Sequence, residues 1–265
     1  MPKWDWYQGT IPKADPQDIC DALTSLVELS DVAPAKPMHG YRQAAEIVRG
    51  SNRHALIWWG GNPGVHVTLT GPNADSYGDW LRKQGVQPSR VDVCEDWSGP
   101  GLADDLFAKA QRLAVDSNIK ISHQGDWTRG RARTLYVGSS KGTSQLVIYE
   151  KGHQLTDQGH QVDQDWVRME VRLKPKKNRD QVAALEPLQA MFASKWIGEF
   201  LTRYVGWESI EPLKMGTVWQ PRDADRARAA LLRQYSKIIA QWAEDVGGWD
   251  ELGGAIQRQV EVLEL

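Results

Sequence analysis

The chain has only two cysteines, Cys20 and Cys94, in 265 residues. Two thiols build neither a disulfide framework nor a four-thiolate zinc site, and a reducing compartment is the expected setting. Histidine is sparse as well. None of the six forms an H-x-H or H-x-x-x-H pair, so a histidine-built metal site is not expected. No apolar run approaches the ~20 residues that span a bilayer, and Met1–Tyr7 carries no apolar stretch of the secretory kind. Neither sign of charge is in excess: Lys+Arg 32 against Asp+Glu 34 leaves −2. That excludes a uniformly basic nucleic-acid binder but not a basic stripe on a neutral body. Phenylalanine is scarce too, 3 against 13 Trp, and indoles serve cores, stacking platforms and interfaces alike. The expectation is a soluble cytoplasmic protein with one sizeable core and no membrane partner.

Asp15-Pro16 reads as an N-cap followed by proline at the first helical position, with Ile19, Leu23, Leu26 and Val27 as an apolar stripe behind it. Ser30–Gly40 reads as loop. Ala55–Trp59 and Val65–Thr70 read as a hairpin around Gly60-Gly61-Asn62-Pro63-Gly64. Asn73–Gln84 and Leu102–Ser117 are helical, and Ser89–Trp97 is a strand. A polar loop, His123–Arg131, leads to a second hairpin formed by Thr134–Gly138 and Gln145–Lys151. Asp165–Lys174 alternates most clearly. Helical patterns follow over Gln181–Tyr204, over Asp223–Asp245 and from Asp250. No repeat of fixed period is visible. The expected class is α+β: an antiparallel sheet with helices packed on one face, ferredoxin-like in theme, plus C-terminal helices. The expected division is a domain over 1–206 and a helical extension over 207–265. In that extension Leu231, Tyr235, Ile238 and Trp242 form a stripe that suits packing on the body or a homodimer seam.

Alternation sorts the strand side chains onto two faces. One face gathers Asp92, Asp96, Glu170, Tyr149, Lys151, Arg168 and Arg172. Three converging carboxylates suit a hard divalent ion, Mg or Mn, which often also coordinates phosphate. A Tyr beside such an ion is placed to attack a phosphodiester. The plain alternative is a solvated sheet face carrying an Arg168-Glu170-Arg172 ladder of surface ion pairs. Basic residues cluster on both sides of this face. One group is Arg168, Arg172, Lys174, Lys176 and Lys177; the other is Arg129, Arg131 and Arg133 beside Trp127. Phosphates would meet the cations, and bases would stack on the indole.

Three stretches resemble one family: SRVDVCEDW, then GDWTRGRARTLYVGSSKGTSQLVIYEKGHQ, then DWVRMEVRLKPK. They are similar, in order, to an R-x-D-x-x-x-D strand, a G-R-T-x-Y-x-G-S…Y-x-K-G block and a W-V-R-x-E strand. Those belong to the replication initiation factors of rolling-circle plasmids, transposon-like elements and filamentous phages. The helical MGTVWQPRDADRARAALLRQY resembles the C-terminal segment of the phage-type members. The resemblance implies a fold related to HUH endonucleases. It implies Tyr149 as nucleophile, which keeps the 5′-phosphate of single-stranded origin DNA as a phosphotyrosine, releases a 3′-OH primer and later rejoins the strand. It also implies Lys151 as its neighbour, a metal on Asp92, Asp96 and Glu170, Lys141 as a DNA contact, and a helicase and polymerase of the host as partners. Ser140 and Val147 stand where the family usually has Arg. Two other readings use the same face: a non-catalytic DNA- or RNA-binding module, and a metal-dependent nuclease that uses water in place of Tyr149.

Overall fold

Lys3–Ile11 shows no clean alternation, yet it forms β1, the strand at the middle of the sheet. A bulge between Trp4 and Trp6 breaks the two-residue period, so Trp4, Tyr7 and Ile11 are the buried apolar residues. The computed structural model describes residues 1–207 and 223–263. After β1 comes α1 (Pro16–Leu26), capped by Asp15, whose carboxylate accepts from the Gln17 amide at 2.8 Å. Four strands follow, β2 (Asp31–Pro34), β3 (Gln43–Arg49), β4 (Asn52–Trp59) and β5 (Val65–Thr70), and then α2 (Pro72–Lys83). The succession then recurs. β6 (Gln87–Ser98) leads to α3 (Leu102–Asp116), β7 (Ile121–Asp126), β8 (Arg131–Val137) and β9 (Ser144–Glu150). The short α4 (Lys151–Asp157) precedes β10 (Trp166–Leu173), and α5 (Arg179–Ala183), α6 (Pro187–Met191) and α7 (Lys195–Phe200) close the series.

All ten strands lie in one sheet, ordered β2-β3-β4-β5-β1-β6-β10-β9-β8-β7, and every pair is antiparallel. The order divides at the centre into β1-β5-β4-β3-β2 and β6-β10-β9-β8-β7. The two halves have the same connectivity, related by a pseudo-dyad between β1 and β6. α1, α2, α3 and α5–α7 cover one face, where Leu69, Val93, Leu113, Met169 and Phe200 share a single apolar core. The protein is therefore α+β, with an antiparallel sheet and its helices on one side.

Three local readings change. Ser30–Gly40 holds the edge strand β2, where Pro34 costs no ladder bond. His123–Arg131 holds most of β7. The single helix expected over Gln181–Tyr204 is broken into α5, α6, α7 and a π-helical turn, Leu201–Val205. Pro187 lacks an N–H and takes the first position of α6, where Glu186 and Gln189 form a capping box.

The chain forms two units, Met1–Val218 and Trp219–Leu265. The second contains α8 (Asp223–Asp245) and α9 (Trp249–Leu263), with Leu231, Tyr235 and Ile238 exposed. Residues 208–222, which hold the connector and the first eight residues of the phage-type motif, lie outside the described residues. Among the described residues no helix is long and apolar enough to cross a membrane.

Candidate active site

β6, β10 and β9 lie side by side, and their register builds the site on the face away from the helices. Asp96 faces Arg168, which faces Tyr149; two residues along, Cys94 faces Glu170 and then Val147; two further, Asp92 faces Arg172 and then Gln145. Period-2 alternation brings all of these to one face, so Asp92, Asp96, Glu170, Tyr149, Arg168 and Arg172 meet as expected. Their environment differs from a solvated face. Asp92 is 1% exposed, Glu170 3%, Arg168 7% and Tyr149 9%.

Each carboxylate is engaged by a guanidinium. Arg168 grips both oxygens of Asp96, at 2.7 and 2.8 Å, and reaches Asp5 at 2.6 Å. The Trp166 indole and Lys3 also hold Asp96, at 2.9 and 3.0 Å. Burial opposes ionisation of Asp96, but these hydrogen bonds outweigh it and hold the carboxyl down to about 2. Arg172 binds Glu170 at 2.6 Å and stands 3.8 Å from Asp92, which Arg90 clasps through Nε at 2.8 Å. The proposed carboxylate trio is thus divided. Asp92 and Glu170 form one pair around Arg172, while Asp96 pairs with Asp5 around Arg168. Among the described residues no three His, Cys, Asp or Glu side chains group as a chelating set. Asp92 and Glu170 are the adjoining carboxylates that could hold a divalent ion. Burial and the adjoining Glu170 carboxyl raise Asp92, as expected of two hard oxygen donors crowded together, and Mg²⁺ typically takes one or two carboxylates plus substrate phosphate.

Tyr149 is the penultimate residue of β9 and Lys151 opens α4, with its Nζ 5.7 Å from the centre of the phenol ring. Burial and the charge of Glu170 push the phenol upward. Burial and the charge of Arg168 push Lys151 below its usual value. Between these two residues Glu150 turns to the opposite side. Its carboxylate accepts the Arg133 amide at 2.7 Å and the Arg133 guanidinium at 2.7 Å. Gly152 lets α4 dock, since a Cβ there would stand 2.1 Å from the Asp163 carbonyl oxygen. Cys94, fully buried in the middle row, has its thiol pushed up to about 12 by burial and is inert.

The basic residues separate. Arg133 lies on the helix side, paired with Glu150 and with Asp104 at 2.6 Å, its guanidinium against Phe107 and Trp127. Trp127 packs against Phe107 and His123. Arg129 and Arg131 are exposed and pair with Asp126 and Asp157. Lys141, Lys176 and Lys177 are exposed, and Lys174 donates to the Ser140 carbonyl at 2.8 Å. Arg172, Tyr136, Lys120 and Ser139 line a cavity of about 270 Å³ beside the site. Asp5 of the site and Glu150 behind it escape the sequence reading: Asp5 is reoriented by the bulge in β1, and Glu150 declares itself only through Arg133 across the sheet. Arg90 stands in the R-x-D motif, but its grip on Asp92 is not legible there.

Residues 103–207 match the family model described as replication initiation factor. The match spans β9 and β10, with Tyr149 and Glu170, and leaves Asp92 and Asp96 outside. No curated protein matches the chain. Among solved structures, a rolling circle replication initiator protein from Geobacillus stearothermophilus superposes with a TM-score of 0.53 at 20% identity, covering 77% of this chain and 84% of that one. Residues 103–207 are thus similar to replication initiation factors, and the chain shares its fold with that rolling circle replication initiator protein.

Proposed function

We propose that the protein initiates rolling-circle replication by nicking single-stranded origin DNA with Tyr149, using 1–206 as the catalytic domain and 207–265 as its helical extension. The observation that carries this reading is the row Tyr149–Arg168–Asp96 with Glu170 one step along β10 and Lys151 two residues beyond the phenol. The phenolic oxygen attacks phosphorus, the bond from phosphorus to the 3′-oxygen breaks, and the 5′-phosphate stays on Tyr149. Glu170, whose charge acts on the phenol, takes its proton, and the Lys151 ammonium supplies one to the departing 3′-oxygen. Arg168 and Arg172 lie where charge develops on the phosphoryl oxygens. Asp92 and Glu170 would hold the divalent ion, Mg or Mn, whose chemistry when bound is to offset that charge and lower the cost of ionising the phenol. Reversal of the same step rejoins the strand, and the freed 3′-OH is the primer a host polymerase extends behind a helicase.

The test uses a randomised pool of single-stranded DNA labelled at its 3′ end, incubated with protein and Mn²⁺. A denaturation-resistant labelled adduct is expected, and it disappears in Tyr149→Phe. Nicking that persists without an adduct in Tyr149→Phe, but is lost in Glu170→Gln, would replace the phenol by water.

A further inference from the structure

The half of the sheet that lacks the tyrosine has a counterpart of the candidate site. The pseudo-dyad passes between Trp6 of β1 and Asp92 of β6, which are register partners. It relates β1, β5 and β4 to β6, β10 and β9. The row Tyr149–Arg168–Asp96 then corresponds to Trp58–His66–Thr10, whose members are paired across β4, β5 and β1 in the same way. Two residues along, Glu170 corresponds to Thr68. Phenol, guanidinium and carboxylates have given way to an indole, an imidazole and hydroxyls.

At this counterpart lies a cavity of about 380 Å³, walled by Trp6, Trp58 and His66 and also lined by Met38, His54 and Thr68. That volume falls within the range of sites that enclose a small planar ligand. Two polar atoms are buried there without a hydrogen-bond partner: the Thr68 hydroxyl, on a residue 4% exposed, and Nδ1 of His54. Buried polar groups are nearly always satisfied, by protein, water or ligand, so these two are free to pair with a group that enters the cavity. His66 is pushed down to about 4 by burial. It donates or accepts through Nδ1 with Thr10 at 3.1 Å and presents a neutral ring. The cavity therefore offers flat faces and hydrogen-bond groups, and the one Lys or Arg of its lining, Arg53, is paired with Glu46 at 3.6 Å, which suits a nucleobase. Trp6 joins it to the candidate site: its ring lies 4.5 Å beneath the Arg90 guanidinium, and Arg90 holds Asp92.

We propose that this cavity binds one unpaired base of the single-stranded DNA, stacking it on Trp6 and Trp58 and reading its edge through Thr68 and His54. The proposal rests on the DNA-nicking reading and deepens it by locating base recognition. The strand would cross the sheet from Tyr149 on β9 to Thr68 on β5, four strand spacings or about 19 Å, with Arg168, Arg172 and Arg90 beneath its phosphates.

Fluorescence anisotropy with labelled single-stranded decamers of dA, dC and dT, and with an abasic decamer, tests it at fixed ionic strength. Wild type is expected to separate the three bases by about tenfold in Kd. Thr68→Val, isosteric but without the hydroxyl, is expected to reduce that spread to within about twofold while leaving the abasic decamer unchanged. Trp6→Leu, with folding verified by its thermal transition, is expected to weaken every base-bearing decamer by about tenfold and the abasic one far less. Equal binding of all three bases by wild type, or an unchanged spread in Thr68→Val, would overturn the pocket even where the Tyr149 adduct forms. A base preference lost in Thr68→Val, in a protein that forms no adduct, would keep the pocket and overturn the nicking reading. No binding to any decamer would overturn both. Displacement of the preferred decamer by micromolar deoxynucleoside monophosphate would assign the pocket to free nucleotides and overturn its role in DNA.

Discussion

Replacing Arg168 by Leu separates a buried network from a surface ladder of ion pairs. An exposed ladder is worth ~0–1 kcal/mol per pair. Arg168 is 7% exposed and makes three short bonds, two to Asp96 and one to Asp5. Its loss leaves two largely buried carboxylates without their main cation, a class of change that costs ~3–5 kcal/mol. Lys3 and the Trp166 indole still hold Asp96, and Asp5 keeps some solvent access. The expected cost therefore lies toward the low end, about 3 kcal/mol. Urea denaturation of Arg168→Leu measures it, read as a shift of midpoint at constant m. Repeating the substitution in an Asp5→Asn/Asp96→Asn background completes the cycle. Fewer unpaired charges are then left behind, so Arg168→Leu should cost at least ~1–2 kcal/mol less. A cost below about 1 kcal/mol in the wild-type background, or no coupling in the cycle, would refute the buried network.

Other substitutions report on neighbouring parts of the account. Gly152→Ala drives a Cβ to 2.1 Å from the Asp163 carbonyl oxygen; a stability loss of about 1–3 kcal/mol by thermal melting, with a drop in adduct yield as α4 shifts, is expected. Lys151→Met preserves side-chain volume at a half-buried position. It should slow adduct formation on the order of 10²-fold while leaving the urea midpoint in place; a midpoint shift that accounts for the slower adduct would return Lys151 to a structural role. His66 is held at about 4 when folded against about 6.5 unfolded, so the unfolded state binds the extra proton. Stability should therefore fall as pH drops from about 6.5 to 4, by ~1–2 kcal/mol for a half-buried ring. The slope over that window should flatten in His66→Gln, as measured by denaturation at several pH values.

The legible part of this molecule is the part with simple periodicity. β10 alternates cleanly, and the two-residue period carried along β6, β9 and β10 places Tyr149, Glu170, Asp92 and Asp96 on one face. β1 is not legible, because its bulge interrupts the period and turns Asp5 toward Arg168. Burial of the acidic cluster is also hidden, since it depends on guanidiniums folding across three strands rather than on any local pattern. Arg133 looks like a phosphate ligand in a basic loop, but one step of alternation puts it on the helix side, against Glu150. The internal duplication leaves no trace in the sequence. The equivalent positions have exchanged chemistry, Tyr149 against Trp58, Arg168 against His66 and Glu170 against Thr68, and only strand order and register relate them.

The central claim is that Tyr149 carries the DNA. Trypsin cuts after Lys141 and Lys151, so residues 142–151 form a peptide whose single tyrosine is Tyr149, whereas Tyr136 lies on the preceding one. Mass spectrometry of the nuclease-trimmed, trypsin-digested adduct is expected to find a 5′-nucleotide on the 142–151 peptide. A nucleotide on the peptide that contains Tyr136, or nicked DNA with no modified peptide at all, would contradict the account.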